Sequence, residues 1–276
     1  MNKTSKLTTL FGALLFSTMA WPQAVSLSPG AKYVSMGSSF AAGNGVEVQL
    51  GTCGRSDRNY SSIVAEALQL DHTDVSCSGA TTDHIRNTSQ NGAPLQIDAV
   101  TRDTELVTVT IGGNDIRYTA STFACSSTPA SERCTANLDQ QAIDSAIEEL
   151  PGKLGAMFEE IRAKAPNVTI VLVTYPRVFP TDAVNCSELS LSREDTTYLL
   201  DMGQTLEDIF VSAAESHDVL VADPYVLAAG HGPCAPNAAD RWINGQTILS
   251  SGIRYHPTAE GHEEMARLVL ATLSGN

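Results

Sequence analysis

Val168-Thr169-Ile170-Val171-Leu172-Val173-Thr174 is the stretch on which the fold turns. Its residues are apolar or β-branched throughout, and Ala165-Pro166-Asn167 precedes it. β-Branched side chains favour extended backbone. A continuous apolar run, rather than an alternating one, suits a strand covered on both faces within a parallel sheet. Before it, Ile143, Ala146, Ile147, Leu150, Leu154, Met157, Phe158 and Ile161 mark a long helical stripe, which Pro151-Gly152 is expected to kink or split. After it, a second helix is expected from about Ser192 to Ser216, with Leu199, Met202, Leu206, Ile209 and Phe210 facing inward.

The same alternation extends outward. Tyr33–Met36, Val75–Cys77, Leu106–Ile111 and Val219–Ala222 read as further strands, and Tyr60–Leu70 as a helix. Pro257-Thr258 opens a terminal helix with Met265, Leu268 and Val269 on one face. A Ser/Thr-rich loop holds Cys125 and Cys134, and residues 225–255, rich in Gly, Pro and Ala, form a long loop. Strands alternating with helices predict an α/β fold, a three-layer α/β/α sandwich on one parallel sheet. No linker or composition break divides residues 25–276, which read as one domain.

The chain has 276 residues, 42% hydrophobic and 17% charged, with 17 Lys+Arg against 31 Asp+Glu and a formal charge of −14. Such a surface repels phosphate backbones and anionic head groups, which argues against nucleic-acid binding and a polybasic membrane anchor. Lys3 and Lys6, followed by the mostly apolar run Leu7–Ala20 and small residues at Thr18, Ala20 and Ala24, read as a signal peptide over residues 1–24. The run is short and carries Thr8, Thr9, Ser17 and Thr18, so it falls below the about 20 apolar residues of a membrane span. Secretion is the expectation. Cys53, Cys77, Cys125, Cys134, Cys186 and Cys234 all follow that segment. An even set in an oxidising compartment implies three disulfides, in any of about 15 connectivities. No C-x-x-C occurs, and no metal or organic cofactor is implied. Asn59, Asn87, Asn167 and Asn185 open sequons, acceptors only in a host with the glycosylation machinery.

In a parallel sheet, reactive groups gather at the carboxyl ends of the strands. Those ends carry Gly37-Ser38-Ser39-Phe40, Ser76-Cys77-Ser78-Gly79-Ala80 and Gly112-Gly113-Asn114-Asp115, and Tyr255-His256-Pro257 stands before the last helix. Together they supply a hydroxyl, a histidine and oxyanion donors, the requirements of acyl transfer. Tyr60, Phe123, Tyr225, Trp242 and Tyr255 are candidates for an acyl pocket, with packing as the plainer role. His72, His84, His217 and His231 have no motif around them and are expected at the surface.

These four segments, in this order, resemble the SGNH (GDSL) hydrolase family over essentially the whole chain from Tyr33 onward. The likeness extends to secreted actinomycete-type esterases and lipases with three disulfides. The resemblance implies a flavodoxin-like sheet and an ester hydrolase with Ser39 as nucleophile and His256 as general base. Ser39 N–H, Gly79 N–H and the Asn114 amide would form the oxyanion hole. His262 is the rival base, but the family pattern places the histidine before the proline. The resemblance also implies the pairs Cys53–Cys77, Cys125–Cys134 and Cys186–Cys234.

Two departures stand out. Ser38 occupies the place of the family's Gly-Asp-Ser aspartate, and Ile253 that of the usual aspartate three residues before the histidine. The acceptor for the second imidazole nitrogen is then expected to be the Ile253 main-chain carbonyl, in a Ser–His dyad, with Asp240 as the rival carboxylate. The expected partner is an ester substrate, acyl lipid or small ester, acted on by a monomer. Phospholipase, polysaccharide deacetylase and a non-catalytic binding protein on the same scaffold are the alternatives.

Overall fold

The computed structural model describes residues 24–129, 131–182, 186–248 and 251–275. The expected signal peptide falls, but for Ala24, outside the described residues. Five parallel strands make the central sheet: β1 (Lys32–Gly37), β4 (Asp71–Asp74), β5 (Thr104–Thr110), β6 (Thr169–Val173) and β7 (Leu220–Ala222). Their spatial order is β4-β1-β5-β6-β7. The chain therefore runs outward from β1 to β4 and then returns to the other side of β1. The order reverses between β1 and β5, and the crevice at their carboxyl ends is where such sheets bind ligands.

Strand residues alternate between two cores, as the period of two requires. Tyr33, Leu106, Val171 and Val173 pack against helices α2 (Tyr60–Leu68) and α7 (Ala259–Leu273). Val34, Met36, Val107, Val109, Ile170 and Leu172 face the other layer, built mainly by α5 (Gln140–Lys164) and α6 (Arg193–Ser216). The sandwich expected from the sequence is the observed fold. Ser192 accepts from Asp195 N–H as the N-cap of α6, and Thr258 from Gly261 N–H as the N-cap of α7.

Three expectations are corrected. Helix α5 runs unbroken through Pro151, because Pro151 and Gly152 are exposed and the carbonyl that loses its donor can be hydrated. Strand β4 lies at Asp71–Asp74 rather than Val75–Cys77; it is an edge strand, half open to solvent, and carries polar residues. The Ser/Thr-rich loop contains a helix, α4 (Tyr118–Ser126). Two short elements also go beyond the sequence reading: α1 (Ser39–Ala42) directly after β1, and a small ladder of β2 (Gln49–Leu50) with β3 (Arg55–Ser56).

The disulfides are Cys53–Cys77, Cys125–Cys134 and Cys186–Cys234, as the resemblance implied. Each ties loops at the carboxyl end of the sheet; such closures typically contribute about 2–4 kcal/mol apiece. Asn59 is buried, with its amide donating to Ala42 O and Asp74 Oδ2, so the folded chain offers no acceptor for a glycan at that sequon.

Candidate active site

Gly37 ends β1, and its peptide is held from both sides. Gln96 Oε1 accepts the Gly37 N–H at 2.7 Å, and Gln96 Nε2 donates to Gly37 O at 3.0 Å. Gln96 is itself buried, so this side-chain amide extends the strand pairing by one unit. Ser38 N–H then bonds to Thr110 O at the end of β5, and Ser39 becomes the first residue of α1. Ser38 Oγ, standing where the family has its aspartate, lies 3.1 Å from Tyr175 Oη. The same Tyr175 oxygen accepts the Gly113 N–H at 3.3 Å. One phenol thus links the first and third segments. A side chain at Gly113 would meet that ring, since its Cβ would sit 2.7 Å from a Tyr175 ring carbon.

Ser39 Oγ lies 2.8 Å from His256 Nε2, although 217 residues separate them. The other nitrogen, Nδ1, lies 2.9 Å from Arg254 O. A carbonyl can only accept, so Nδ1 carries the proton and the Nε2 lone pair faces the serine hydroxyl. The acceptor is therefore Arg254 O and not Ile253 O. The Ile253 carbonyl is used within the turn, by His256 N–H at 3.3 Å and Asn244 Nδ2 at 3.3 Å. Tyr255, with φ 57°, reverses the chain and directs the preceding carbonyl toward the ring. Asn244 clamps the whole loop: its side chain also reaches Ser251 O at 2.7 Å, and its backbone pairs with His256 O and Tyr255 N–H.

Both residues are buried, Ser39 to 4% and His256 to 2% exposure. Burial pushes the His256 imidazole down to about 4, while the Arg254 carbonyl raises it. Among the described residues no carboxylate bonds to the ring, and Asp240, the rival partner, is exposed on a short 3-10 turn. Phe40 and Phe123 flank the imidazole, with ring centroids 4.7 and 6.1 Å away.

The expected oxyanion donors lie in the loops at the carboxyl ends of the strands. Among the described residues, Ser39 N–H and Gly79 N–H have no acceptor. Gly79 has φ +82°, a conformation that suits glycine. The Cys53–Cys77 bridge and the Ser78 N–H to Cys53 O bond anchor its loop. Asn114 Nδ2 donates one hydrogen to Ala80 O at 2.9 Å, which orients the amide and leaves its second N–H available. Asp115 accepts from Thr82 N–H and Thr82 Oγ1, joining the second and third segments.

A profile of the GDSL-like lipase/acylhydrolase family matches residues 35–264. The chain belongs to that family. It is 30% identical to Lipase 2 of Streptomyces coelicolor over 262 residues, covering 89% of this chain and 87% of that one. Among solved structures, phospholipase A1 from Streptomyces albidoflavus superposes with a TM-score of 0.74 at 25% identity, covering 88% of this chain and 99% of that one. An extracellular lipase from Streptomyces rimosus gives a TM-score of 0.74 at 24% identity, over 88% and 100% of the two chains. As a GDSL-family lipase/esterase the chain is a carboxylic ester hydrolase.

Gln96, Tyr175, Asn244 and Arg254 were not singled out from the sequence, since each stands outside any motif. Nor are the other histidines simple surface groups. His72 stacks on Tyr33 and bonds Ser35 Oγ, His84 completes a capping box with Thr81, His217 packs on Phe158, and His231 stacks on Trp242. Of the candidate pocket aromatics, Tyr60 is a core residue whose hydroxyl bonds Thr110 Oγ1. Phe123 stands beside the imidazole and meets the Tyr255 ring edge to face.

Proposed function

We propose that this family member is a secreted serine esterase or lipase that works through an acyl-enzyme on Ser39. The observation that carries the reading is the 2.8 Å contact between Ser39 Oγ and His256 Nε2, with Nδ1 held by a carbonyl. Ser39 attacks the ester carbonyl as His256 takes its proton. Ser39 N–H, Gly79 N–H and the free N–H of Asn114 meet the developing oxyanion. His256 then protonates the departing alcohol, and water repeats the sequence on the acyl-enzyme to release the acid and restore Ser39.

Secretion is supported by the leader-like residues 1–24 and the three disulfides. Among the described residues no helix is long and apolar enough to cross a membrane. The test is covalent labelling by a fluorophosphonate probe, with p-nitrophenyl ester hydrolysis measured alongside. Wild type is expected to label at Ser39 in a peptide digest, and Ser39→Ala to lose both labelling and nearly all turnover. Asn114→Ala is expected to lower kcat by about 10²–10³, the usual cost of one oxyanion donor. Labelling elsewhere, or a tenth of the turnover surviving in Ser39→Ala, would overturn the assignment.

A further inference from the structure

Gly79 N–H shares one peptide with Ser78 O, and planarity sets the two on opposite sides of it. Ala80 N–H bonds Cys77 O at 3.0 Å, so residues 77–80 form a hydrogen-bonded β-turn with Ser78 and Gly79 at its centre. Gly79 has φ +82° while Ser78 stays outside the positive region, the combination of a type II turn. Type I and type II differ mainly by a rotation of this central peptide through roughly half a turn. Glycine at the third position accepts either state. The flip exchanges the two faces of the loop: where one orientation presents an N–H, the other presents a carbonyl oxygen. An oxyanion would then meet a negative end in place of a donor.

The main chain fixes the peptides on either side but not this one. Cys77 N–H bonds Gly37 O, Ser78 N–H bonds Cys53 O, and the Cys53–Cys77 bridge closes the loop. Among the described residues no main-chain group bonds Ser78 O or Gly79 N–H. A side chain holds Ser78 O instead: Gln90 Nε2 donates to it at 2.8 Å. The same nitrogen lies 3.4 Å from where a Gly79 Cβ would stand, so the amide sits against the peptide it holds. Gln90 comes from a tight turn of its own. Asn91 and Gly92 have φ 54° and 75°, and Ala93 N–H returns to Gln90 O at 2.8 Å, the geometry of an Asn-Gly reversal. Asn91 Nδ2, 3.6 Å from Cys77 Sγ, ties that turn to the same loop.

The other end of the same amide is unsatisfied: Gln90 Oε1 is buried and has no hydrogen-bond partner. Buried acceptors are nearly always paired, and one left open in a folded chain calls for a reason. Packing alone would be served better by an apolar side chain of similar length. The donor end supplies the reason, because it acts on the Ser78–Gly79 peptide in two ways. It favours one orientation over the other, and by drawing on the carbonyl it polarises the N–H across the plane.

We propose that Gln90 is a positioning residue for the oxyanion hole, a latch that keeps the Ser78–Gly79 peptide with its N–H available to the substrate carbonyl. The proposal rests on the reading of Gly79 N–H as an oxyanion donor and assigns what holds it in place. Gln90 acts through this peptide alone, on an interaction made in the transition state, so its loss belongs in kcat rather than KM.

Two measurements test it. The first reads the peptide by NMR and needs no turnover. Carbonyl-labelled serine with ¹⁵N-labelled glycine selects the Ser-Gly peptides of the Ser39→Ala protein: Ser78-Gly79, Ser251-Gly252 and Ser274-Gly275. Gln90→Met keeps the length and loses the donor; it is expected to move the Ser78-Gly79 signals and leave the other two in place. Unmoved Ser78-Gly79 signals would overturn the latch. The second is kinetic, on a p-nitrophenyl ester. Gln90→Met is expected to lower kcat about 3- to 10-fold with KM within about twofold, the shift that one net hydrogen bond allows. That is well short of the about 10²–10³ of a lost oxyanion donor. Gln90→Glu gives the signature that structural support alone would not produce. Its protonated carboxyl can donate to Ser78 O, and its carboxylate cannot. Its kcat, relative to wild type at the same pH, is expected to approach one toward pH 5 and to fall to the Gln90→Met level by pH 8. A ratio that stays flat across that range, or kcat unchanged in both variants, would overturn the positioning role. Gln90→Glu carries both measurements if Gln90→Met does not fold. Moved signals with unchanged kcat would place the failure in the oxyanion reading of Gly79 rather than in the hydrogen bond that holds its peptide.

Discussion

His256 and His262 are six residues apart, both fully buried, and both held neutral by their surroundings, yet they have opposite tautomers and different work. His256 donates from Nδ1 to Arg254 O and presents the Nε2 lone pair to Ser39. His262, on α7, accepts the Tyr60 N–H at its own Nδ1, 3.2 Å away, so its proton sits on Nε2. That nitrogen is buried and has no partner. Burial, and then the nearby His256, push His262 down to about 3. Burial therefore does not distinguish a base from a structural ring. The difference is which atom the backbone occupies: an acceptor carbonyl frees a lone pair for chemistry, whereas a donor N–H uses it up.

The sharpest way to break this comparison is to remove each ring in turn. His256→Ala is expected to lower kcat by at least about 10⁴, as loss of a base does in serine hydrolases. His262→Asn places a carbonyl oxygen near the former Nδ1 and is expected to keep kcat within about tenfold. It should instead lose about 1–3 kcal/mol of stability, the cost of a poorly satisfied buried donor. Chemical denaturation and ester kinetics on both variants decide the matter. Equal losses of kcat would mean that the two rings work as one unit.

A second approach is through pH. The acid limb of kcat/KM reports the base of the free enzyme. With His256 near 4, activity is expected to persist to about pH 5 and then fall tenfold per unit below about pH 4. Stability follows a different course. Both folded pKa values lie below the ordinary 6.5, so their contribution is complete above pH 6.5 and is lost as pH falls toward 4 for His256 and 3 for His262. The slope approaches two protons, about 2.7 kcal/mol per pH unit. His262→Asn should halve it.

Glu207 provides the opposite case on the far side of Tyr175. It is buried, neither carboxylate oxygen has a hydrogen-bond partner, and burial together with Asp223 pushes it up to about 8. A raised folded pKa for an acid makes its stability contribution complete below 4.5 and lost as pH rises toward 8. Glu207→Gln is expected to flatten that decline, gaining about 3 kcal/mol relative to wild type at pH 7 and little at pH 5. Thermal melts across this range test it.

Much of this was legible in the sequence, for reasons that differ by element. Val168–Thr174 declared a covered strand because its apolar run is continuous rather than alternating. The Ser39–His256 contact was legible because each residue stands at an element end beside a short motif. Tyr118–Ser126 was not, because Ser, Thr and Ala give no apolar stripe, and its helix is fixed by packing and the Cys125–Cys134 bridge. Gln96 and Asn244 look like any loop amide until the backbone they clamp is seen. The carbonyl facing His256 depends on a single dihedral, the positive φ of Tyr255, and no spacing rule carries that information.

The smallest expected effect tests the same carbonyl. In a Ser-His-Asp triad, aspartate-to-asparagine substitution lowers kcat by about 10⁴, because the imidazole takes the wrong tautomer and loses a countercharge. Here Arg254 O fixes the tautomer and brings no full charge, and among the described residues no carboxylate bonds to the ring. The nearby acids have other roles. Asp223 Oδ1 accepts the Tyr225 N–H, Asp240 is exposed on a short 3-10 turn, and Glu260 lies in the first turn of α7. Asp240→Asn, Asp223→Asn and Glu260→Gln are each expected to cost less than about tenfold in kcat, against the 10⁴ of a triad. A loss of about a thousandfold in any of them, with circular dichroism unchanged, would mean that a carboxylate swings onto Nδ1 during turnover. The distinction between His256 and His262 would then lie in a charge the resting site does not display, rather than in the carbonyl it does.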